Sequence, residues 1–97
     1  MDIGFEEVKE KLSVLAEKGF EPEFRIFLYG KEYMIIAYRT FCSFQRCGMT
    51  DGSGEIRYAS LDELYHAQTI DGIVLEKDWN KIVKWECLVL EIWEQFC

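Results

Sequence analysis

EFRIFLYGKEYMIIAYR, residues 23–39, decides the fold class. Over Glu23–Leu28, Phe24, Ile26 and Leu28 alternate with Arg25 and Phe27, which is the two-residue period of a strand. Tyr29-Gly30-Lys31-Glu32 is a tight turn with Gly30 as its pivot. Glu32–Arg39 is apolar on both faces, which predicts a second strand in a central position. The stretch is therefore a hairpin.

Working outward, Thr40–Cys47 reads as a third strand and Gly48–Gly54 as a loop. Glu55–Tyr58 is short and strand-like, so a second hairpin closes around that loop. Upstream, Phe5, Val8, Leu12 and Leu15 recur at spacings of three and four, predicting a helix over Ile3–Lys18. Asp2 is its expected N-cap, Glu6 and Glu7 suit its positive end, and Lys18-Gly19 stops it. Downstream, Ser60-Leu61-Asp62-Glu63 is a capping box. It starts a short helix over about Leu61–Ala67, with Leu64 and Tyr65 facing inward. Ile70–Ile73 is a turn.

At about 100° per residue, Glu76–Phe96 reads as one long helix. Ile82, Trp85, Val89, Ile92, Trp93 and Phe96 share one arc, and Trp79, Val83, Leu88 and Leu90 widen it to roughly 220°. One core-facing stripe needs little more than 100°, so this helix carries surplus apolar surface. The expected fold is a single α+β domain over residues 1–97. It is a small antiparallel sheet of three to four strands, with an N-terminal and a long C-terminal helix packed on one face.

Composition excludes several function classes. The 97 residues are 49% hydrophobic and 30% charged, a globular balance in one domain. The formal charge of −7 disfavours a nucleic-acid partner. Residues 1–48 carry −1 of it and residues 49–97 carry −6. The N-terminus, MDIGFEEVKEK, lacks a basic region followed by an apolar run, and no stretch reaches membrane-spanning length. A cytoplasmic location and no membrane partner are expected. Cys42, Cys47, Cys87 and Cys97 are then reduced thiols, and no tight CxxC knuckle points to zinc.

Chemistry-bearing constellations are incomplete. His66 is the one histidine, and it lies away from the inward side of its helix. Gly52-Ser53-Gly54 is not followed by the lysine of a phosphate loop. Counted as a calcium loop from Asp51, the segment puts Ile56 where glycine is required. Tyr29, Tyr33, Tyr38, Phe41 and Phe44 interleave with Arg25, Lys31, Arg39 and Arg46, but net charge opposes base stacking. No catalytic residue, metal or cofactor is expected.

Two binding functions remain. All three tryptophans fall on the last predicted helix, and tryptophans concentrate at interface centres. Trp79, Trp85, Leu88, Val89, Ile92, Trp93 and Phe96 are the expected contact residues of a non-catalytic interaction module, a homodimer being the simplest form. Alternatively, Asp51, Glu55, Asp62, Glu63 and Asp71 form an acidic surface. In size and acidity the chain resembles phage-encoded protein inhibitors of nucleases. That resemblance implies a phage or mobile-element accessory acting on a nucleic-acid-handling enzyme.

Overall fold

A computed structural model describes residues 3–48 and 54–88. Its elements are α1 (Phe5–Glu17), β1 (Glu23–Leu28), β2 (Lys31–Ala37), β3 (Cys42–Arg46), β4 (Glu55–Tyr58), α2 (Leu61–His66), α3 (Leu75–Asp78) and β5 (Lys84–Leu88). Single 3-10 turns cover Ile70–Gly72 and Trp79–Lys81. The five strands form one antiparallel sheet in the order β4-β3-β2-β1-β5. The α+β class holds, and β2 is central as its two apolar faces require.

Two parts of the expected fold are corrected. The sheet has five strands, not three to four. The long helix over Glu76–Phe96 is not formed across its first part. α3 ends at Asp78, a 3-10 turn follows, and Lys84–Leu88 pairs with β1 as the fifth strand. The physical reason lies in β1. Its inner side chains Phe24, Ile26 and Leu28 are fully buried, so its second backbone edge needs a partner. Residues 89–96 of the expected helix lie outside the described residues.

Cross-strand register sorts the sheet into two faces. The first carries Phe24, Ile26 and Leu28 of β1, Tyr33, Ile35 and Ala37 of β2, Cys42 and Phe44 of β3, and Trp85 and Cys87 of β5. The described helices pack on it through one core cluster with Phe5, Val8, Leu12, Leu64, Leu75 and Trp79. The second face carries Arg25 and Phe27, Glu32, Met34 and Ile36, Ser43 and Gln45, Glu55 and Arg57, and Lys84 and Glu86.

α1 buries the stripe its spacing predicts: Phe5, Val8, Leu12, Leu15 and Ala16. Its N-cap is Gly4 with no side-chain capping bond, in place of the expected Asp2. It ends where Gly19 takes φ +90°, a left-handed conformation that glycine adopts without a Cβ clash. At α2 the predicted cap is present: the Glu63 N–H donates to Ser60 Oγ at 3.1 Å. Leu64 is fully buried and Tyr65 half-buried, both inward as expected.

Candidate functional site

The tryptophans separate. Trp79 is buried in the core, and its indole Nε1–H donates to the Ile3 carbonyl at 2.9 Å. Its ring lies edge-on to Phe5 and parallel to Phe24. The hydrogen bond satisfies the polar handle of an otherwise apolar ring, as burial demands. Trp85 is half-buried at the outer strand and stacks on Phe24 at a centroid distance of 5.4 Å. Leu88 closes β5 opposite Glu23. Val89, Ile92, Trp93 and Phe96 lie outside the described residues.

The acidic residues also separate. Asp62 sits 3.0 Å from Lys9 Nζ of α1. Glu55 lies on the second sheet face, 3.8 Å from the Arg57 guanidinium. Glu63 is in the first turn of α2, where its charge meets the positive end of the helix. Asp71 is tied to the sheet. Asp51 lies outside the described residues.

Asp71 forms the most constrained polar cluster. Tyr33 Oη donates to Asp71 Oδ2 at 2.7 Å, Arg46 Nη1 donates at 3.3 Å, and Lys31 Nζ stands 3.9 Å away. The Tyr33 hydrogen bond, with the two cations, lowers the Asp71 pKa. Tyr33 is pushed up to about 12 by burial and by the same carboxylate. A phenol with so high a pKa stays protonated near neutral pH and supplies no phenolate there, and the cluster suits a structural role. Asp71 adopts φ +59°, a left-handed conformation that aspartate tolerates better than most residues. These bonds hold that turn and pin the α2–α3 connection to the ends of β2 and β3.

Two of the thiols, Cys42 and Cys47, are likewise held in the protonated form. Burial pushes Cys42 up to about 12. Burial and the neighbouring Glu32 push Cys47 up to about 11. The thiolate is the nucleophile, so both shifts suppress it. Cys42, Cys47 and Cys87 form no disulfide. Among the described residues, no three His, Cys, Asp or Glu side chains cluster as a metal site. His66 Nδ1 lies 3.3 Å from Glu76 Oε2 on the surface.

Grooves among the described residues include two of note. One of about 210 Å³ runs between the end of α1, the β2–β3 turn and the start of α2, past Tyr38, Arg39 and Ser60. The other, of about 300 Å³, lies on the second sheet face between Arg25, Glu32, Met34, Gln45 and Cys47. The aromatic–basic series is split as well. Tyr33 and Phe44 stack on each other in the core, while Tyr38 stacks on Phe41 at the β2–β3 turn.

What sequence reasoning missed is the outer edge of β5. Val83, at its start, is 84% exposed, more than any other large apolar side chain among the described residues. Lys84 and Glu86 flank Trp85 and are exposed. Their signal was present: Val83, Trp85 and Cys87 alternate with Lys84 and Glu86 at the strand period.

No protein-family model, curated protein or solved structure matches the chain. No described helix is long and apolar enough to cross a membrane.

Proposed function

We propose that the protein is a non-catalytic interaction module that self-associates through the surface around Val83. The observation that carries this reading is Val83, 84% exposed at the start of β5. A large apolar side chain left in water is the kind of group that an interface buries, and a two-fold contact lets one such patch serve both subunits.

Solution mass by light scattering tests this. Wild-type chain is expected to move from monomer to dimer with concentration. Val83→Glu puts a charge at the centre of that patch and should stay monomeric with an unchanged circular dichroism spectrum. A wild-type monomer at every concentration, or a Val83→Glu variant that associates as well as wild type, would sink the reading. The separated, base-paired positions of Glu55, Asp62 and Asp71 lend no comparable support to an acidic mimic.

A further inference from the structure

The turn between α2 and α3 places two left-handed residues in a row, Asp71 at φ +59° and Gly72 at φ +77°. The second position calls for glycine, because a side chain there is strained whatever space surrounds it. The first tolerates aspartate, whose carboxylate is held by Tyr33 Oη at 2.7 Å and Arg46 Nη1 at 3.3 Å. Backbone geometry thus writes an Asp-Gly pair into the turn. Such a pair is open to rearrangement, since glycine puts no side chain in the way of its own nitrogen. From a protonated carboxyl, the Gly72 nitrogen bonds to Asp71 Cγ, and one carboxyl oxygen leaves as water with the carboxyl and amide protons. Water then adds to the Asp71 main-chain carbonyl carbon and breaks its bond to that nitrogen. The product is an isoaspartyl linkage of unchanged mass, in which the chain runs through Cβ.

We infer that Asp71-Gly72 is a latent isoaspartyl modification site, kept closed in the folded chain by the Tyr33–Asp71–Arg46 cluster and by the turn itself. The inference is independent of any contact around Val83. Ring closure needs the Gly72 nitrogen on the same side of the Asp71 Cα–C bond as Cβ. At ψ +21° that nitrogen lies almost over the Asp71 nitrogen instead, turned away from Cβ. The Gly72 N–H is also engaged, donating to the Thr69 carbonyl at 3.2 Å. The Tyr33 and Arg46 bonds anchor the carboxylate to β2 and β3, which resists the rotation that would bring Cγ onto the nitrogen. They also keep the carboxylate ionised, and an ionised carboxylate lacks a good leaving group. Rearrangement lengthens the backbone between α2 and α3 by one atom. The site therefore turns a transient opening of the cluster into a permanent loosening of the α2–α3 connection.

Ageing the full-length chain at neutral pH and physiological temperature tests the inference. Trypsin then releases residues 58–77 as one peptide, whose aspartates are Asp62 and Asp71. Electron-transfer fragmentation reads isoaspartate at position 71. The reference is the synthetic peptide of residues 58–77, aged alongside, which carries the same Asp-Gly pair without Tyr33 or Arg46. In the folded chain, isoaspartate should accumulate at least about tenfold more slowly than in that peptide. Tyr33→Phe should speed it about fivefold, the factor that one hydrogen bond carries. Val8→Ala, which removes buried contacts of α1, should leave the rate at the wild-type value. Equal rates in folded chain and peptide, or an unchanged rate in Tyr33→Phe, overturn the inference. So does an equal rise in Val8→Ala, since general loss of stability would then open the site rather than loss of the Tyr33 bond.

Discussion

On one side of the sheet, Phe24, Ile35 and Phe44 are fully buried beneath the helix layer. On the other, their near neighbours in the chain are Arg25, Met34 and Gln45, and Glu23, Arg25, Glu55 and Arg57 form ion pairs along the strands. The same five strands thus follow two rules. The first face gains stability from apolar area removed from water, at about 25 cal/mol per Å². The second gains little from its ion pairs, because exposed pairs contribute about 0–1 kcal/mol each. Stability is therefore concentrated in one layer: apolar burial on the first face holds the fold.

The comparison can be broken most directly at Phe24. Its ring lies parallel to Trp79 and Trp85, so Phe24→Ala removes a fully buried side chain at the centre of the aromatic cluster. The expected loss is about 3–5 kcal/mol, read from the urea midpoint. Phe27→Ala, on the second face under Lys84, should cost well under half as much. Equal losses would erase the distinction between the faces.

Tyr33→Phe has a smaller effect and a characteristic pH dependence. Losing the Asp71 hydrogen bond should cost about 1 kcal/mol at neutral pH. The folded Tyr33 pKa is about 12, raised from 10.0. Its stabilising contribution is therefore complete below pH 10 and is lost as pH rises towards 12. The variant should lack that alkaline decline. Asp71 has the opposite sign. Its lowered pKa contributes stability above the ordinary carboxylate range, which is lost as pH falls through the folded value. The acid decline should also be shallower in Tyr33→Phe. Unfolding curves between pH 2 and 12, showing no difference between the two chains, would remove the cluster from the account of stability.

The smallest effect is expected at Ser43. Its buried hydroxyl has no hydrogen-bond partner, so Ser43→Ala removes an unsatisfied group. Thermal unfolding should show a change within about 0.5 kcal/mol, or a gain. A clear loss would show that the hydroxyl makes a bond the comparison omits.

Much of this arrangement was legible in local signals. The alternation of Phe24, Ile26 and Leu28, the Gly30 turn, the Ser60–Glu63 capping box and the stripe of α1 each draw on residues close in sequence. Local backbone geometry and side-chain period are enough to specify them. The contact residues were much less legible. Trp79 and Trp85 fit one helical arc as well as they fit a buried anchor and an outer strand. A segment rich in large apolar residues satisfies both periods. Asp62 and Asp71 looked like free surface charge because their partners, Lys9 and Arg46, are distant in the chain.

The sequence by itself determined the α+β class, the central place of β2, and the helices α1 and α2, since each follows from a pattern within a few residues. Only the tertiary structure decided that Lys84–Leu88 is a strand. Helical periodicity there competed with the backbone hydrogen bonds of the edge of β1. That edge lies beside fully buried side chains, and an unpaired buried backbone group costs more than the modest preference of a short segment for one period. The partner was supplied from more than fifty residues away, where no local pattern records the need.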